Sequence, residues 1–117
     1  MRSFEDLNAW KKSHQLILGV YAITRYMPAD ETYGLRSQLR RAAVSVSANI
    51  AEGAGRLSNK DYRRFISNAL GSASEVQCLL RVAEDLGMVA DTAALREQVL
   101  EVKRLLRGLE RHLASST

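Results

Sequence analysis

The chain has 117 residues, 46% of them hydrophobic, with one proline, one cysteine, a formal charge of +4 and a pI near 9.6. That apolar content suits one packed domain and excludes a disordered chain; one cysteine excludes an internal disulfide, and no run of about 18 apolar residues marks a membrane span. The opening MRSFEDLNAWKK carries acids and lacks an apolar stretch, so no secretory signal is expected and a cytoplasmic location is.

Four helical segments follow in order. The first is predicted from about Leu7 to Met27, with Ser3 and Asp6 as a capping box and Pro28 as its stop. Its predicted seam is Leu7, Trp10, His14, Ile17, Tyr21 and Thr24. The second runs from about Glu31 to Ala54, with Gly55 as its C-terminal cap. The third opens at Ser58, where Asp61 completes a capping box, and Gly87 stops it. The fourth runs from about Asp91 to Leu113, with Leu95, Val99, Val102, Leu106, Leu109 and Leu113 on one face. No strand pattern or repeat is visible, and the linkers are short. The prediction is one all-α domain over 1–117, an up-down-up-down antiparallel four-helix bundle.

Helix 2 is the unusual element. Leu35, Leu39, Ala42, Val46 and Ile50 form its core arc. Gln38, Arg41, Ser45, Asn49, Glu52 and Arg56 form a polar stripe, and Ser37, Val44, Ala48, Ala51 and Gly55 form a small-residue face. Almost nothing from 42 to 55 is suited to water, so the stripe is expected to pair inside the bundle and the small face to meet another subunit. Arg41 and Arg56 are the expected partners of Ser45, Asn49 and a buried Glu52. Gly53 fits a close backbone approach, and helix 3 offers a matching small stretch around Gly71.

The basic excess is thirteen Arg against four Lys, which suits phosphate or carboxylate partners. One group is Arg36, Arg40 and Arg41 with Arg56, Lys60, Arg63 and Arg64, although helix 2 separates its two halves. The other is Lys103, Arg104, Arg107 and Arg111. Interspersed Glu97, Glu101 and Glu110 allow either set to be a solvated face. Catalytic and metal signatures are missing: there is no Glu-x-x-His pair and no glycine-rich loop after a strand. His14 reads as a core or interface histidine and Cys78 as a buried small hydrophobe. A non-enzymatic protein without cofactor or metal is expected.

FEDLNAW, YGLRSQLRRAAVSVSANIAEGAGR (33–56) and FISNALGSASEVQCLL (65–80) resemble bacterial four-helix-bundle proteins related to those encoded by intervening sequences in large-subunit ribosomal RNA genes. Accessory variability determinants of diversity-generating retroelements are more distant relatives. The resemblance implies a ring-like homopentamer, with Ser45, Asn49, Glu52 and Gly53 as assembly and packing positions. For the retroelement relatives it implies a basic surface that contacts nucleic acid and a reverse transcriptase. The functional expectation is therefore electrostatic binding of RNA or DNA by a homo-oligomer, and the alternative is an adaptor oligomer for a protein partner.

Overall fold

The computed structural model describes residues 3–115. Four α-helices, α1 (Asn8–Thr24), α2 (Leu35–Ala54), α3 (Asn59–Asp85) and α4 (Ala93–Ser115), carry the fold, with short 3-10 turns at Phe4–Asp6 and Ala29–Glu31. Among the described residues there is no strand. Each helix packs on the next, and α1 packs on α4, enclosing one apolar core within a body of 47 × 22 × 20 Å. Leu16, Leu39, Val46, Ile50, Ile66, Leu80, Val99 and Leu106 are fully buried there.

Local chemistry sets the helix ends. Ser58 accepts the Asp61 N–H at 3.1 Å and starts α3 as its sequence predicts. Gly87, at φ +73°, stops the same helix, and the Met88 N–H returns to the Ala83 carbonyl. Elsewhere the boundaries differ from the sequence reading. Ser3 caps the 3-10 turn, and α1 starts later, at Asn8. α2 starts at Leu35, where the Glu31 carboxylate accepts the Leu35 N–H at 2.8 Å. At α4, Asp91 accepts the Ala93 N–H at 2.9 Å.

The seam of α1 is displaced by one residue from the predicted row. Ala9, Ser13, Leu16, Val20 and Thr24 are buried, whereas His14 and Tyr21 are exposed. Both rows satisfy helical spacing and share Thr24, and Ser13 disguises the true one. Their hydroxyls each donate to a carbonyl of the preceding turn at 2.7 Å, which makes their burial inexpensive. His14 stacks on Trp10 outside the core, with ring centroids 5.0 Å apart. Cys78 is likewise exposed, not buried.

Contacts along neighbouring pairs run in opposite sequence order. Ser45 meets Ser72 while Gly53 meets Tyr62 and Phe65. Arg63 meets Glu110, Lys103 meets Gln77, and Glu84 meets Arg96. The last contact belongs to a clamp at the α3–α4 turn. Thr92, fully buried, donates both its N–H and its hydroxyl to one Glu84 oxygen at 2.8 Å, and Arg96 Nε donates to the same hydroxyl at 2.9 Å.

Candidate nucleic-acid interface

The first two turns of α3 place Lys60, Arg63, Arg64 and Ser67 on one side of the helix, at spacings of three and four residues. The last turns of α4 place Arg107 and Arg111 four apart. Between them lies a groove of about 600 Å³, floored by Leu70 and containing Glu110. One Glu110 oxygen accepts Arg63 Nε at 2.9 Å and Nη2 at 2.7 Å, which fixes the α3–α4 spacing. Asp61 holds Arg64 with two bonds at 3.0 and 2.8 Å. Lys60, Arg107 and Arg111 have no acid partner among the described residues.

Folding therefore regroups the sequence-predicted basic residues. Lys60, Arg63 and Arg64 of the first predicted group and Arg107 and Arg111 of the second line this groove, whereas Arg36, Arg40 and Arg41 line a separate concavity. Arg56 pairs with Glu52 at 2.9 Å and with Asp61 at 3.7 Å, and lies 4.5 Å from the Phe65 ring centroid. Lys103 donates to Gln77 halfway along the bundle, and Arg104 is exposed outside the groove. Arg36 and Arg40 have structural work. Arg36 donates to the Thr24 carbonyl at 3.0 Å, to the Met27 carbonyl and to Thr32 Oγ1, satisfying the open end of α1. Arg40 donates to Thr24 Oγ1 at 2.9 Å and covers the Tyr21 ring at 4.3 Å. Arg41 is exposed at that separate concavity, of about 690 Å³, which includes Ser37 and Val44.

The predicted assembly residues also divide. Ser45 bonds Ser72 of α3 at 2.9 Å, and Asn49 donates to the Ser45 carbonyl and hydroxyl at 2.8 and 3.1 Å. Ser45 and Asn49 thus pair with α3 and with their own helix, not with Arg41 or Arg56, whereas Glu52 does pair with Arg56. Gly53 is buried inside the protomer, where a Cβ would stand 2.9 Å from Phe65 Cβ and 3.0 Å from Tyr62 Cδ1. Burial pushes the Tyr62 phenol pKa up. Val44, Ala48, Gly55 and Gly71 are exposed in the protomer, and Ser37 and Ala51 are half-buried.

The expected burial of Glu52 is corrected within the protomer, although its expected partner is present. Its side chain is 55% exposed and, among the described residues, pairs with Arg56 one turn away. Glu52→Ala is expected to change stability by no more than about 0.5 kcal/mol in urea unfolding, because exposed ion pairs of this kind contribute little. A loss several times larger would restore a buried role.

Sequence reasoning missed Ser67, Leu70 and Glu110 as groove residues and missed the Glu84–Thr92–Arg96 clamp. Helical spacing could have joined Ser67 to Lys60 and Arg64, but no local signal ties Glu110 to Arg63. Among the described residues, no group of three His, Cys, Asp or Glu side chains could hold a metal ion, and no helix is long and apolar enough to cross a membrane.

No curated protein matches the sequence. The profile described as 23S rRNA-intervening sequence protein matches residues 5–108, from the first 3-10 turn through most of α4. With nearly the whole four-helix body inside that match, the chain belongs to the 23S rRNA-intervening sequence protein family.

Proposed function

We propose that the chain is a non-enzymatic nucleic-acid-binding protein. In this reading an up-down-up-down antiparallel bundle assembles as a ring-like homo-oligomer, a pentamer by the resemblance, and holds RNA or DNA electrostatically. The observation that carries the reading is the α3–α4 groove, where five cationic side chains converge and three have no acid partner. Phosphates entering it release condensed counterions, which supplies affinity without base contacts. No aromatic ring lines the groove, so base readout has little to work with. The family description names an intervening sequence of 23S rRNA, which supports RNA as the first polymer to test.

Assembly is supported by what α1 and α2 leave uncovered. Leu18 is 58% exposed and Val44 42%, with Tyr21 and Ala48 also exposed on these two helices. A second copy would cover such a surface. A ring would present the same groove several times and add avidity to weak single contacts.

Binding of the purified protein to RNA and DNA duplexes across a salt series tests both parts. The expected log–log slope is about −2.7 per engaged groove, from three free cations at about 0.9 each. Ala48→Arg should lower the light-scattering mass and flatten the slope while leaving helical circular dichroism intact. Weak binding even at low salt would transfer the reading to an adaptor for a protein partner, and an unchanged mass would remove the α2 face from the interface.

A further inference from the structure

We propose that the α3–α4 groove is a receptor for a contiguous phosphate chain, such as the 5′-triphosphate end of an RNA or a free tripolyphosphate, in preference to internal backbone phosphates. The inference rests on the reading of the groove as phosphate-binding and narrows its ligand.

Charge per unit length separates the two kinds of phosphate ligand. Lys60 to Arg64 covers about 6 Å of helix axis, and Arg107 to Arg111 covers the same. Along that distance one strand of a duplex presents about two phosphates, at about 3.4 Å each. The opposite strand lies across a groove about 12 Å wide. With Arg63 paired to Glu110 and Arg64 to Asp61, the three unpaired cations still exceed the roughly two phosphates that one passing strand supplies. Adjacent phosphates on one chain concentrate enough charge to match the excess.

The side chains are suited to that ligand. Three of the converging groups are free, and the other two are held in place by their acids. Asp61 and the Phe65 ring, 4.5 Å from its guanidinium, fix Arg64. Glu110 fixes Arg63 through one oxygen. Guanidinium forks bind phosphate oxygens in pairs. Ser67 supplies a hydroxyl beside them, and the α3 N-terminal dipole adds a favourable field at the same end. Leu70 closes the floor without offering a stacking surface, so the phosphates and not a base are the recognised part.

The test compares two RNAs of identical sequence, one ending in a 5′-triphosphate and one in a 5′-hydroxyl, by fluorescence anisotropy with the full chain. Tripolyphosphate and orthophosphate are the competitors at matched ionic strength. The 5′-triphosphate RNA is expected to bind at least about tenfold tighter, in keeping with several added charge-assisted bonds. Tripolyphosphate should displace it and orthophosphate should not. The double variant Arg107→Gln, Arg111→Gln should abolish the difference while its helical circular dichroism stays unchanged. Calorimetric binding of tripolyphosphate with no difference between the RNAs would assign the site to a free anion of the same chemistry. Equal, salt-sensitive binding of both RNAs with no tripolyphosphate effect would overturn the inference and leave the nucleic-acid reading standing. If neither RNA nor tripolyphosphate binds, both readings fail.

Discussion

Gly53→Val is expected to destabilise the protein by about 1–3 kcal/mol, the range for overpacking a filled core. Valine begins with the Cβ that Gly53 lacks, and that atom would sit 2.9 Å from Phe65 Cβ. Phe65 Cβ is anchored to the α3 backbone, so a side-chain rotation cannot clear it. The helices must separate instead. Gly71 gives the opposite sign within the same protein. A Cβ there meets nothing within 4 Å, so Gly71→Ala should stabilise by up to about 1 kcal/mol through helix propensity alone. Urea midpoints monitored by circular dichroism decide the matter. If the two substitutions shift the midpoint in the same direction, the close approach of α2 and α3 at Gly53 is not what selects glycine. The effect should also reach the groove. Phe65 carries the Arg64 guanidinium 4.5 Å from its ring, so a displaced Phe65 moves a side chain that lines the groove.

Thr92→Val carries the second large expected effect, about 1–3 kcal/mol of lost stability, because a fully buried hydroxyl serves there as both donor and acceptor. Valine keeps the shape and the backbone bond but leaves Glu84 and Arg96 each short of a partner. The loss should depend on pH. The Thr92 N–H, and then its hydroxyl, hold the Glu84 carboxyl below the usual carboxylate range, with Arg96 and Arg81 adding to the effect and burial opposing it. A depressed folded pKa means that this stability is fully present above the ordinary carboxylate pKa. It is lost as pH falls through the lower folded value. Wild-type protein should therefore lose stability in acid more steeply than Thr92→Val. Parallel pH profiles would remove the Thr92 hydroxyl as a cause of the Glu84 shift.

Local signals were the legible ones. The Ser58–Asp61 cap, Gly87 and the long apolar row of α4 are written in neighbouring residues, and folding keeps them. The register of α1 was not legible. Trp10 and Tyr21 carry far more apolar surface than Ala9 and Ser13, so size favours the wrong row, and the back-bonded hydroxyl is what makes Ser13 a core residue. The small residues of α2 conceal two roles that sequence cannot separate. Gly53 faces its own helix pair, whereas Ala48 faces outward. The groove was half legible. Its arginines stand out, but grouping them along the chain joins Arg36 to Lys60 and separates Lys60 from Arg111. Packing of α3 on α4 reverses both. Arg36 also serves the fold, since its guanidinium donates to carbonyls at the end of α1.

The exposed thiol has a practical consequence. Cys78 is the sole cysteine, and it lies fourteen residues along α3 from Arg64, about 21 Å away in helix rise. A maleimide dye placed there labels each subunit once and keeps its distance from the groove. Stepwise photobleaching of single labelled particles then counts subunits directly, and a ring of five would extinguish in up to five steps.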